Sequence, residues 1–230
     1  GNSKQVFASE NVNEVVVYYT DEMTAFDGIK KATIPSKGVV NNRISGIIYQ
    51  HLNQINIPNH FIKCLTDREQ LCHKVEIIPI RFIIRNIITG SIVKRLKMVD
   101  GMVLDNPLYE LNYKDDKLGN PLINDNHVFA LGLCNLRELD LMYQYSKVIN
   151  ESLKSLFNKV GIILVDLNLE FGRDVNGEIM LADEITPDTC RFWDQKTGDS
   201  LDKDRFRKDS GNVIEGYMEV LKRLVAYDKN

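Results

Sequence analysis

Residues 161–194, GIILVDLNLEFGRDVNGEIMLADEITPDTCRFWD, decide how the rest of the chain is read. From Ile163 to Phe171 the odd positions Ile163, Val165, Leu167, Leu169 and Phe171 are apolar, while Asp166, Asn168 and Glu170 are polar. That period of two predicts a half-buried strand with an acidic outer face. Asn176-Gly177 suits the positive φ angles of a tight hairpin turn, and Glu178 to Ile185 reads as the returning strand. With those two residues at the centre of the turn, Val175 faces Glu178 and Glu170 faces Asp183. Opposed carboxylates with Cβ atoms roughly 5 Å apart repel each other unless a cation lies between them. A solvated acidic hairpin is the plain alternative. Asp166 on the same face, with Asp188 and Arg191 just beyond, favours a magnesium site, in which substrate phosphates complete the oxygen shell.

The chain has 230 residues, 43% hydrophobic and 27% charged, the profile of a folded globular protein of one large domain or two modest ones. Its 29 basic and 32 acidic residues are interspersed and leave a net charge of −3. This offers no field for a nucleic acid, so any phosphate recognised is expected to be small and local. No apolar run approaches the roughly 18 residues that span a bilayer, and there is no signal-peptide core. A cytoplasmic protein without membrane contacts is the expectation. Cys64, Cys72, Cys134 and Cys190 lack metal-binding spacing and are expected to be reduced thiols.

Lys4 to Ala8 and Glu14 to Tyr19 read as a strand pair, which with the Asp27-Gly28 turn is suited to covering a nucleotide's phosphates. Val40, Ile44, Ile47, Ile48, Leu52 and Ile55 predict a helix over 37–55. His51 and His60 have no partner at metal-ligand spacing and read as structural or solvent-facing. Two further strands follow, Phe61 to Thr66 and His73 to Arg85. The second is expected to bend at Pro79, since proline is poorly tolerated inside a central strand. That bend sets the expected division: 1–79, a β-rich nucleotide-covering lobe, and 80–230, an α+β lobe with the substrate and metal site. Thr89-Gly90-Ser91 opens a short helix whose N-terminus could seat a phosphate, although an ordinary capped helix with surface arginines reads equally well. Residues 100–130 read as a long polar loop. Two more helices are expected, one over 135–160 and one closing the chain after Asp194 with Val213, Ile214, Tyr217, Val220, Leu221 and Leu224 buried.

Taken together, RNIITGSIVKRL, GIILVDLNLEFG, LADEITPDTCRFWD and LDKDRFRKDSGNVIE, in this order and spacing, closely resemble the SAICAR synthetase family over essentially the whole chain. The resemblance implies a two-lobed α+β fold with antiparallel sheets and a kinase-like nucleotide cleft between the lobes. It also implies a ligase of de novo purine biosynthesis that uses ATP and Mg²⁺ to join L-aspartate to the carboxylate of carboxyaminoimidazole ribonucleotide. By motif, Glu170 and Asp183 look like the magnesium carboxylates, with Asp166 beside them. Arg85, Ser91 and Arg191 would hold the ribonucleotide's phosphate and sugar, Asp166 and Asp188 would lie in the same substrate pocket, and Lys203 and Arg207 would contact anionic groups. Lys4 and Asp27 would lie near the ATP phosphates, with Glu76 and Ile78 along the adenine hinge. Three positions depart from the family pattern: Gly1-Asn2-Ser3-Lys4 for Gly-Lys-x-Lys, Asn168 for a lysine, and Gly119-Asn120-Pro121 for Asp-Asp-Pro. The partners implied are small molecules; the sequence leaves a homodimer open. The same lobes would also suit a small-molecule kinase of the inositol-phosphate type or a catalytically silent nucleotide-binding module.

Overall fold

A computed structural model describes residues 3–26 and 28–228. In chain order the elements are β1 (Lys4–Ala8), β2 (Glu14–Tyr19), β3 (Glu22–Ala25), β4 (Lys30–Thr33), α1 (Lys37–Gln54), β5 (Phe61–Cys64), β6 (Glu69–His73), β7 (Glu76–Ile87), α2 (Ser91–Leu96), β8 (Val103–Tyr113) and β9 (Leu122–Ile123). There follow α3 (Asp125–Ala130), α4 (Leu136–Lys159), β10 (Ile162–Arg173), β11 (Ile179–Ala182), β12 (Cys190–Asp194), α5 (Asp204–Arg207) and α6 (Val213–Asp228). The fold is α+β, with every strand pair inside the sheets antiparallel.

The first sheet runs β1-β2-β6-β5, and a six-stranded sheet runs β11-β10-β7-β8-β9 with β12 also paired to β10. β10 is therefore the axis of the larger sheet. Its predicted parity holds from Leu167 to Phe171, whose odd positions enter the core, but a bulge between Leu164 and Asp166 reverses it, so that Ile162 and Leu164 face the core instead. α4 covers this sheet, burying Leu139, Met142, Ile149, Leu153, Leu156 and Phe157 at helical spacing. α1 packs on α6 and joins the same core through Val40, Ile44, Ile48 and Leu52.

Pro79 and the loop expected over 100–130 both turn out differently, for one reason. Pro79 lies within the continuous strand β7, at the register shift between the Ile77–Gly172 and Arg81–Glu170 pairs. Pro107 lies inside β8, opposite the shift between Arg85 and Ile87. A bulge leaves ladder positions unpaired, which accommodates a residue without an N–H. Consequently β7 does not break at Pro79, and part of the expected 100–130 loop is an eleven-residue strand. The closing helix is split: Ser210-Gly211-Asn212 separates α5 from α6, with Gly211 and Asn212 both at positive φ. No helix among the described residues is long and apolar enough to cross a membrane.

Candidate active site

The acidic face of β10 is the floor of a charged site and not a solvated surface: Asp166 is 3% exposed and Glu170 4%. Antiparallel register places a basic residue beside each acid. Arg85 of β7 and Arg191 of β12 flank Asp166, and Arg81 of β7 lies opposite Glu170. Arg191 Nη1 donates to Asp166 Oδ2 at 2.6 Å and its Nε to Asp204 at 2.9 Å. Arg85 Nη1 donates to the same Asp166 oxygen at 3.3 Å and to the Thr89 carbonyl at 3.2 Å, while its Nε reaches Glu110 at 2.8 Å. No hydrogen bond among the described residues uses Nη2 of either arginine. Two guanidiniums are thus oriented by shared carboxylates with donors left over, which suits a small phosphate. Gly90 permits the arrangement, since at φ 74° a Cβ there would lie 2.7 Å from Arg191 Nη2. Ser91 is exposed at the start of α2.

The hairpin register is one residue away from the sequence count. Glu170 pairs with Ala182, and Arg173 with Ile179. The reason lies in Asp174, whose carboxylate accepts the N–H groups of Asn176 and Glu178, both at 2.8 Å, closing a five-residue loop where a two-residue turn was expected. Asp183 follows the strand with φ 63°. Its carboxylate is ion-paired with Lys4, which also lies 2.8 Å from Glu184. Burial opposes the charge on Asp183, but Lys4 and Lys114 hold its carboxyl below the ordinary carboxylate range. Lys114 is itself ion-paired with Glu170, and Arg81 is 3.2 Å from that acid. Glu170 and Asp183 therefore share the field of one lysine without being cross-strand partners. No cluster of three or more His, Cys, Asp or Glu among the described residues is arranged to hold a metal. The two hard carboxylates, held apart from each other by Lys4, Lys114 and Arg81, fit an ion that takes its other ligands from phosphate and water.

Asp188 is fixed by three side chains from two helices. Lys37 and Asn41 of α1 donate to Oδ2 and Tyr217 of α6 to Oδ1, each at 2.8 Å. Burial works against its ionisation, and Lys37 and Lys203 outweigh that, lowering its pKa. The Lys203 ammonium is pushed down, first by burial and then by Arg207 and Lys37. Arg207 is 2.5 Å from Asp204, the carboxylate that also holds Arg191. Glu76 is exposed, whereas the Ile78 side chain is in the core. Asp27, like Gly1 and Asn2, lies outside the described residues. A cavity of about 320 Å³ lined by Ile47, His51, Leu156 and Leu224 shares no residue with this site.

Sequence reasoning missed Lys37, Arg81, Lys114, Glu184 and Tyr217. Lys37 did carry a signal: a lysine in a helix's first turn opposes the dipole and asks for a buried partner. Lys114 was hidden in a stretch read as loop, and Tyr217 within an ordinary apolar stripe.

A family model described as SAICAR synthetase matches residues 1–224. The phosphoribosylaminoimidazole-succinocarboxamide synthase of Clostridium perfringens (strain SM101 / Type A) is 53% identical over 224 residues, covering 97% of this chain and 95% of that protein. The Clostridium acetobutylicum enzyme of the same name is 51% identical over the same shares. Among solved structures, phosphoribosylaminoimidazole-succinocarboxamide synthase from Ehrlichia chaffeensis superimposes with a TM-score of 0.96 at 44% identity, covering 98% of this chain and 97% of that one. A SAICAR synthetase in complex with ADP gives 0.95 at 42% identity, covering 98% and 96%. Fold, site and likeness define the class, an ATP-dependent carbon–nitrogen ligase. The chain belongs to the SAICAR synthetase family. It joins L-aspartate to the carboxylate of 5-amino-1-(5-phosphoribosyl)imidazole-4-carboxylate in purine biosynthesis, giving SAICAR, ADP and phosphate.

Proposed function

We propose a division of labour in which Asp166 aligns Arg85 and Arg191 on the ribonucleotide's phosphate, with Ser91 beside them. Asp188, Lys203 and Arg207 complete the substrate pocket. Lys4 faces the ATP phosphates, Asp27 is assigned to the same group by motif alone, and the backbone around Glu76 and Ile78 meets the adenine. The N-terminal lobe, residues 1–79, covers the nucleotide, and residues 80–230 carry the acceptor. The observation that carries this reading is the pair of arginines sharing the buried Asp166, next to an acid pair neutralised by lysines. Glu170 and Asp183 would hold Mg²⁺, which, when bound, offsets charge on the transferring phosphoryl. The relative solved with ADP supports the nucleotide part. The reaction is assigned to the cytoplasm.

A carboxylate is a poor electrophile, so an oxygen of the ribonucleotide's carboxylate attacks the terminal phosphorus of ATP and ADP leaves. Lys4 and Lys114, released from their acids, spread the charge of that transfer. The aspartate amine then attacks the acyl carbon, the C–O bond to phosphate breaks, and the nitrogen gives up its proton as the amide forms. Steady-state kinetics test the division. Arg85→Ala and Arg191→Ala should raise KM for the ribonucleotide roughly 10- to 150-fold. Lys4→Ala should act chiefly on ATP. Arginine variants impaired for ATP alone would reverse the assignment of the two pockets.

A further inference from the structure

We infer that Tyr49 and His60 are positioning residues that hold Asp183 in the conformation its metal role requires, an inference that rests on the reading of Asp183 as a magnesium carboxylate. Asp183 has φ 63°, a left-handed conformation uncommon for a residue with a Cβ, which aspartate adopts more readily than most and which its surroundings here hold in place. Those surroundings are specific. Tyr49 Oη stands 2.8 Å from the Asp183 carbonyl and 3.0 Å from the Ala182 carbonyl, so its one proton is shared between adjacent peptides. His60 Nε2 lies 3.0 Å from the Asp183 carbonyl, and since that oxygen can only accept, Nε2 carries the proton. The two donors fix the peptide plane that follows Asp183.

Both donors are buried and packed in place. Tyr49 is fully buried on α1, stacked on Phe61 at 5.7 Å and tilted against His60 at 5.3 Å. The His60 N–H donates to the Leu181 carbonyl and the Leu181 N–H to the Pro58 carbonyl, each at 2.9 Å, which stitches residues 58–60 onto the edge of β11. The orientation of a carboxylate in the 80–230 segment is thus set by side chains from residues 1–79.

Mn²⁺ titration followed by electron paramagnetic resonance, in the presence of ADP, tests this without turnover. Tyr49→Phe keeps the stacked ring and loses only the hydroxyl. His60→Leu removes the second donor, whereas His60→Gln keeps an N–H of similar reach. Tyr49→Phe and His60→Leu should each weaken Mn²⁺ binding about tenfold, with His60→Gln close to wild type. ADP affinity measured without metal should be unchanged in all three. In an Asp183→Asn background Tyr49→Phe should cause no further loss. Wild-type Mn²⁺ affinity in both Tyr49→Phe and His60→Leu, with Asp183→Asn impaired, would overturn the positioning role. Wild-type affinity in Asp183→Asn itself would overturn the metal reading beneath it. Should Tyr49→Phe fail to fold, the contrast between His60→Leu and His60→Gln decides.

Discussion

Arg191 and Arg85 converge on one oxygen, Asp166 Oδ2, from opposite neighbours of β10, at 2.6 and 3.3 Å. Removing that carboxylate leaves two largely buried guanidiniums short of a partner. Asp166→Ala is expected to destabilise the protein by about 3 kcal/mol. The same change should make inorganic phosphate a stronger stabiliser, because Asp204 and Glu110 still hold the two guanidiniums and an anion would replace the missing charge. Thermal melts with and without phosphate check both effects. A phosphate-induced shift no larger than in the wild type would contradict a phosphate seat between these arginines.

Gly90→Ala should act on the same pocket from the backbone. The new methyl group would meet Arg191 Nη2 at 2.7 Å in a conformation that side chains avoid. The expected outcome is a raised KM for the ribonucleotide with little effect on KM for ATP, read from initial rates with each substrate varied in turn.

Glu170→Gln and Asp183→Asn should each lower turnover by on the order of 100-fold or more, since a metal contribution of several kcal/mol depends on them. The fold should persist. Glu170 is held by Lys114 and Arg81, about one third exposed, which can turn to water when the charge is lost. Near-wild-type turnover in either variant, with melts confirming a folded protein, would reject the metal role.

Two carboxylates give opposite pH signatures. Asp194 accepts the N–H groups of Thr197 and Lys196 and pairs with Arg223, lowering its pKa from 3.8 to about 2. A depressed folded-state pKa stabilises fully above the unfolded value and loses that contribution as pH falls toward about 2. Asp202 is raised from 3.8 to about 6, by burial and then by Asp204. Its stabilising effect is complete below 3.8 and is lost as pH rises through about 6. Asp194→Asn should therefore flatten the acid limb of a stability–pH curve, and Asp202→Asn should gain on the wild type between about pH 4 and 6. Chemical denaturation from about pH 2 to about pH 7 measures both.

Much of this was legible in the residues. Apolar periodicity located α1, α4 and β10, and the Asp166, Glu170, Asp183 and Arg191 cluster stood out as charges beside a buried strand. What periodicity could not show was register. The Asn176-Gly177 signal is real, but the Asp174 side chain competes for the turn's N–H groups and lengthens the loop, so Glu170 lies opposite Ala182. Pro79 read as a bend, and the stretch around Pro107 as loop, because the bulges that accommodate these prolines depend on partner strands far away in sequence. Tyr49 and His60 carried no chemical signature at all. Their part follows only from which carbonyl the fold brings to them.

The central claim is that ATP activates the ribonucleotide's carboxylate, and oxygen tracing tests it most directly. The protein is incubated with Mg-ATP, L-aspartate and ribonucleotide labelled with ¹⁸O in its carboxylate, and the inorganic phosphate is examined by mass spectrometry. The account predicts a single labelled oxygen in each phosphate released, formed only when aspartate and the ribonucleotide are both present. Unlabelled phosphate accompanying amide formation, or phosphate retained on the organic product without any need for aspartate, would contradict it.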